Sequence, residues 1–324
     1  MPANKTETIT AEMASELLIK IKNNIAKAIT GQSESVDLIL TAMIAKGHIL
    51  LEGVPGVAKT LLAKTFAASL GLTYSRIQFT PDLMPSDITG TSVFNPKNLE
   101  FTFQHGPVFA QTVLIDEINR SPAKTQAALF EAMQEQQVTA DGSEYALPEP
   151  FLVIATQNPI EYEGTYRLPE AQLDRFLFKI VVGYPSLDEE TTILRNSHDR
   201  GFTKAEKNIS SVISESEIKQ IRSLAEKAVV SEKLIEYTAQ IIQATRSESK
   251  LYLGASPRAG VALLNGAKAY AVIQGRDYVL PEDIQTILLP TLAHRVVLSP
   301  ETEMEGQTIE DVLSIILKRI PVPR

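Results

Sequence analysis

Residues 53–60 read Gly53-Val54-Pro55-Gly56-Val57-Ala58-Lys59-Thr60. The apolar run His48-Ile49-Leu50-Leu51-Glu52 precedes them, and Leu61-Leu62-Ala63-Lys64-Thr65-Phe66-Ala67, with helical spacing, follows. Strand, glycine turn, helix is the layout of a phosphate-binding loop. Glycines let several backbone N–H groups converge on one spot, and a helix start adds its own free N–H groups and positive dipole end. Lys59 can then reach the β- and γ-phosphates of a nucleotide, and the Thr60 hydroxyl can bind magnesium. The signature G-x-x-x-x-G-K-[ST] has glycine before the lysine, where this chain has Ala58. Ala58 is expected to enter the helix, where φ is negative and alanine is comfortable. It adds one methyl near the phosphates.

A second cluster is Thr112-Val113-Leu114-Ile115-Asp116-Glu117. Its composition is that of a buried parallel strand ending in two carboxylates. Ligands of open α/β sheets sit at the C-terminal strand ends, so this cluster and the loop deliver their polar residues to one edge. Asp116 is then placed to hold magnesium through its waters, and Glu117 to orient and polarise an attacking water. Taken alone, the pair would also suit a helix N-terminus. A third apolar strand, Phe151-Leu152-Val153-Ile154-Ala155-Thr156-Gln157-Asn158-Pro159, ends in amides, with Asn158 at its tip. Asparagine before proline is usually turn chemistry, so a role for Asn158 depends on its neighbours. Ser256-Pro257-Arg258 puts an arginine in the first turn of a helix. A cation is unfavourable there, a hint that Arg258 faces an anion.

The elements around these residues follow from periodicity. Residues 11–29 and 34–46 have apolar residues on one helical face. The 29–32 connection between them leads towards the phosphate loop and could brush an adenine ring, but by spacing alone it reads as a plain helix connection. A strand over 74–80 follows the first βα unit. Residues 91–94 and 99–103 flank Asn95-Pro96-Lys97-Asn98 as a hairpin, and 137–146, with a central Asp141-Gly142, reads as another. A helix over 124–134 separates them, and a strand over 177–182 closes the first half. Tyr184-Pro185-Ser186 looks like a hinge. Beyond it the spacing predicts helices over 187–197, 214–229, 231–247, 257–274 and 281–296.

Composition narrows the classes. The chain of 324 residues is 44% hydrophobic and 22% charged, ordinary for a soluble globular protein of two domains. Without cysteine it has no disulfide and no thiolate metal site. The net charge of −8 argues against a strong non-specific nucleic-acid binder. No apolar core of a signal peptide and no run long enough to span a bilayer is visible, and a cytoplasmic setting is expected. The four histidines have no metal-ligand spacing and read as structural or surface residues.

The order of these motifs resembles that of an AAA+ ATPase and, more closely, of the MoxR family. The stretches that carry the resemblance are residues 51–60, Leu114-Ile115-Asp116-Glu117-Ile118-Asn119-Arg120, residues 155–159 and Leu168-Pro169-Glu170-Ala171-Gln172-Leu173-Asp174-Arg175-Phe176. Alanine before the Walker A lysine belongs to this branch's own pattern. The resemblance implies an α/β P-loop NTPase parallel-sheet core over residues 1–184, with two hairpin insertions, followed by an all-helical lid domain over 185–324. It implies that Lys59 and Thr60 are the Walker A pair and Asp116 and Glu117 the Walker B pair. Asn158 would be sensor 1, and Arg258 sensor 2, reaching a phosphate of its own subunit. Arg175 would be the arginine finger acting on ATP held by the neighbour. It further implies ATP and Mg2+ as cofactors, a ring that is most often a hexamer, and a remodelling or chaperone activity. The client would be a metalloenzyme or a von Willebrand factor A domain protein. A chelatase-type motor, a non-hydrolytic nucleotide-gated scaffold and a nucleic-acid motor are the alternatives. Arg167 stands where the family would have proline.

Overall fold

Val, Leu and Ile dominate Thr112–Asp116, and every residue of that strand is buried. Such a strand needs neighbours on both edges and helices on both faces. The computed structural model, which describes residues 9–158 and 168–323, supplies both. Helices α1 (Ala11–Ala26) and α2 (Ser33–Ile44) come first. Then come β1 (Ile49–Glu52), α3 (Lys59–Leu70), β2 (Tyr74–Gln78), α4 (Pro85–Thr89) and a hairpin of β3 (Gly90–Asn95) and β4 (Glu100–His105). The central strand is β5 (Thr112–Asp116), followed by α5 (Ala123–Glu135). A second hairpin of β6 (Gln137–Ala140) and β7 (Ser143–Ala146) precedes β8 (Leu152–Gln157), α6 (Glu170–Leu173) and β9 (Phe178–Val181).

Strands β2, β5, β8, β1 and β9 form, in that order, a five-stranded sheet, parallel throughout. Alternate residues feed two apolar clusters. Ile49, Leu51, Leu114, Leu152 and Ile154 face one, and Leu50, Val113, Ile115, Val153 and Ala155 face the other. This is the period of two that a pleated strand imposes.

The helical region runs through α7 (Leu187–Arg200), α8 (Glu215–Glu226), α9 (Glu232–Ser247), β10 (Leu251–Leu253), α10 (Pro257–Ile273), α11 (Pro281–Leu292), β11 (Val297–Leu298), α12 (Pro300–Met304) and α13 (Ile309–Arg319). Ser186 with Glu189, Ser214 with Glu217 and Thr308 with Asp311 form reciprocal capping boxes that set three of the starts. The region is not wholly helical, because β10 and β11 pair antiparallel. Strands of two and three residues are too short to leave a periodic signal. Nor does α11 reach 296, for it stops at Leu292. The chain then turns, and His294 and Arg295 are buried against the start of β9. One apolar cluster joins Leu18, Ile39 and Phe66 to Ile218, Tyr237, Leu263, Ile287 and Val312, so the interior runs across residue 184.

The two hairpins brace one another. Asp141 and Gly142 both have positive φ, 50° and 76°, as a tight Asp-Gly turn requires. The Asp141 carboxylate accepts a hydrogen bond from Ser92 on β3. Phe103 of β4 stacks on Tyr145 of β7 with centroids 4.3 Å apart. Beyond that contact Leu99 and Phe101 stand exposed at the end of the first hairpin.

His48, just before β1, is buried and fully used. Its Nε2 lies 3.2 Å from the Met133 carbonyl, and Nδ1 accepts from the Val153 N–H at 3.1 Å. That pattern requires the neutral ring. Burial drives its pKa down to about 4 from an ordinary 6.5. The unfolded chain therefore binds a proton that the folded chain refuses. Stability that is full above pH 6.5 drains away as pH falls towards 4. Urea unfolding at pH 5 should show a loss of about 2 kcal/mol from this group relative to pH 7.5. A His48→Gln variant should have a shallower pH slope; an unchanged slope would mean that His48 is not the source.

Candidate functional site

The parallel register brings the strand tips together. Ile115 pairs with Ala155, so one step further on Asp116 meets Thr156. Gln78 pairs with Asp116, and Leu51 with Thr156. Lys59, Thr60, Asp116, Glu117, Thr156 and Asn158 thus line one cleft of about 460 Å³ at the C-terminal edge of the sheet.

The loop from β1 to α3 is held tightly at its root. The Gly53 N–H donates to the Gln157 carbonyl at 3.3 Å. A Cβ on Gly53 would lie 2.5 Å from the Val182 carbonyl oxygen, so no side chain fits there. Lys59 Nζ donates to the Gly53 carbonyl at 2.5 Å and to that of Gln157 at 3.5 Å. Burial pushes the Lys59 ammonium below its usual range, against the pull of Asp116, Glu117 and Glu52. A lysine held in this way is ready to exchange carbonyls for an anion.

Ala58 departs from expectation. Its φ and ψ are 61° and 22°, left-handed rather than helical. It is the N-cap of α3 and not its first residue. The turn must reverse so that the N–H groups of the loop and of the helix point the same way, and this places the strained residue where the signature has glycine. A left-handed alanine costs on the order of 1–2 kcal/mol. Alanine offers no capping oxygen, and no side chain caps α3. The first-turn amides of this 12-residue helix are therefore left for a ligand, and phosphate oxygens suit them.

Both carboxylates are oriented by neighbours that sequence reasoning missed. Asp116 accepts from Arg76 Nε at 2.6 Å and from the Thr156 hydroxyl at 3.2 Å. Glu117, with φ of 58°, donates its N–H to the same Thr156 oxygen at 3.0 Å. Its carboxylate accepts from Gln78 at 3.1 Å and lies 3.1 Å from the Arg120 guanidinium. Arg76 and Gln78 alternate along β2 and so share a face, the one available signal. Only the strand order tells that this strand adjoins β5. A carboxylate and a hydroxyl in one cleft, Asp116 and Thr60, are hard oxygen donors of the kind magnesium takes.

A second cleft of about 760 Å³ lies on the other side of the loop, between Pro55, Gly56, Val57 and Ala58 and the helix α7. Residues 29–32 line it, and Gln32 Nε2 donates to the Val57 carbonyl at 3.0 Å. That connection is therefore part of the loop's surroundings and more than a link between helices. Val54 packs against the larger apolar cluster.

The two remaining arginines lie elsewhere. Arg175 does not line the Lys59 cleft. It is half-buried against α5, where its guanidinium donates to the Phe130 carbonyl at 3.2 Å and to Gln134, 6.0 Å from the Phe130 ring centroid. Arg258 is exposed in the first turn of α10 and lines neither cleft. It is close enough to Arg295 for its charge to disfavour that guanidinium. Arg167 lies outside the described residues.

Comparison with known proteins agrees with this geometry. Residues 48–178 match the model for the ATPase family associated with various cellular activities (AAA), and residues 243–316 match the AAA lid domain. The chain is 45% identical to "Uncharacterized protein YeaC" of Bacillus subtilis, with 95% of each chain covered. It is 43% identical to "Chaperone MoxR1" of Mycobacterium tuberculosis over 93% of this chain and 81% of that one. It is 31% identical to "Protein MoxR" of Methylorubrum extorquens, with 94% of each covered. The crystal structure of a Cytophaga hutchinsonii protein classed as a candidate ATPase superposes with a TM-score of 0.89 at 40% identity, covering 97% of each chain.

The left-handed conformation of Ala58 has a measurable sign. In an ordinary helix interior, alanine to glycine costs about 1 kcal/mol. Ala58→Gly should instead leave stability unchanged or raise it by up to about 1 kcal/mol in urea unfolding. A loss of the ordinary size would mean that Ala58 is helical after all.

Proposed function

The chain belongs to the MoxR family of AAA+ ATPases, and from that premise we propose that it hydrolyses ATP with magnesium and spends the cycle on remodelling a partner protein. One observation carries the reading: Lys59, Thr60, Asp116, Glu117 and Asn158 line a single cleft at the sheet edge. Phosphoryl transfer asks a protein mainly for positioning and charge, and this set supplies both. The uncapped amides of α3 and the Lys59 ammonium bind the phosphates. Thr60 and Asp116 would hold magnesium, which neutralises charge building on the phosphate oxygens. Glu117 orients and polarises the attacking water, and Gln78 and the Thr156 hydroxyl fix its direction. Asn158 contributes a polar amide at the strand tip. The cleft between residues 29–32 and α7 is where the base and sugar would lie, so nucleotide would touch both the sheet core and the helical region.

Arg175 supports an assembled state. It lies outside its own cleft and is half-exposed, as suits an arginine serving a neighbour's nucleotide. Arg258, exposed in the first turn of α10, is the proposed sensor 2 that reaches from the helical region to a phosphate of its own subunit. A ring, of six by family resemblance, follows from head-to-tail sharing of Arg175. A chaperone-like role is drawn from the name of the mycobacterial relative. A metalloenzyme or a von Willebrand factor A domain protein is the client class proposed.

Glu117→Gln should bind ATP with affinity near wild type while phosphate release falls by about 10²–10⁴-fold. Arg175→Ala should lose about 10³–10⁵-fold in kcat, and wild-type activity per chain should climb with protein concentration. Equilibrium binding and phosphate release measure both. Full turnover by Glu117→Gln would end its assignment.

A further inference from the structure

Arg295 lies just beyond α11 and is almost wholly buried. An arginine carries five N–H donors, and here each has an acceptor. Nε donates to Asp174 Oδ1 at 2.6 Å. Nη2 donates to the Asp174 carbonyl at 3.2 Å and to that of Phe176 at 2.6 Å. Nη1 donates to the Leu177 carbonyl at 3.0 Å and to that of Thr291 in α11. The neighbouring His294 places Nε2 2.9 Å from the same Phe176 carbonyl. The helical region thus grips the backbone on both sides of one residue, Arg175, whose own side chain turns to α5 instead.

Burying a cation is a poor way to gain stability, since apolar groups of equal volume often do as well or better. What a rigid guanidinium fork provides is geometry. Arg295 fixes residues 174, 176 and 177 to α11, which packs on α10 and β9. The Leu177 N–H also donates to the His48 carbonyl at 2.8 Å, and β9 pairs with β1, so this segment is also tied to the strand that leads into the phosphate loop. We propose that Arg295, with Asp174, is a positioning residue for Arg175. The clamp couples the Arg175 backbone to the helical region, so that a shift of that region is transmitted to the guanidinium. This rests on the reading that Arg175 acts on nucleotide.

The test is a double-mutant cycle in full-length protein, with kcat for ATP and equilibrium ATP affinity read separately. Misplacing a catalytic group by about 1 Å can cost about 10²-fold. Arg295→Lys keeps the charge but loses the fork. Asp174→Asn is the gentler variant and carries the test if Arg295→Lys does not fold. Each should lower kcat by about 10²-fold and leave ATP affinity within about twofold. In an Arg175→Ala background, with radiolabelled ATP to read residual rates, neither should cost anything more. A purely structural role would give the same loss in both backgrounds, or weaken ATP binding in step, and would overturn the clamp. So would a wild-type kcat in both variants. A wild-type protein that releases no phosphate would overturn the ATPase reading, and the clamp with it.

Discussion

The Thr156 hydroxyl accepts the Glu117 N–H and donates to the Asp116 carboxylate. Much of the architecture exists so that this one group can do both. A buried carboxylate is costly unless partnered, and Asp116 has Thr156 on one side and Arg76 on the other. Those partners come from β8 and β2, so β5 must lie between them. Parallel neighbours require crossovers, and crossovers place helices on both faces. The two apolar clusters fed by alternate strand residues are the energetic consequence.

The loop beside this group is built against its own comfort. Ala58 sits in a left-handed turn, α3 begins without a side-chain cap, and Lys59 is partly desolvated. Each would be more stable in another form. Together they leave backbone amides and an ammonium facing one space, which is what an anion of high charge density needs. The nearby Gly53 shows the opposite economy, with Val182 so close that only hydrogen fits.

Much of this was legible in the sequence, for a definite reason. The loop, the β5 carboxylates and Asn158 stand at strand ends, and strand ends in a parallel sheet share an edge whatever the strand order. The hairpins were legible because Asp141-Gly142 and the 95–98 segment are turn chemistry. What escaped depended on lateral neighbours. Arg76, Gln78 and Thr156 become meaningful only once β2, β5 and β8 are known to adjoin. Arg295 looked like the tail of a helix until α11 ended early. The backbone sign at Ala58 is hidden from helix propensity, because the residue caps the helix and does not belong to it.

The hydrogen bond from Ser92 to Asp141 joins residues 49 positions apart. With the stacking of Phe103 on Tyr145 it cross-braces two ribbons, each of which would be limp as an isolated hairpin. A braced pair resists bending and shear as a truss does. Its apolar tip therefore travels as one stiff lever, and wherever α5 carries the root, Leu99 and Phe101 must follow.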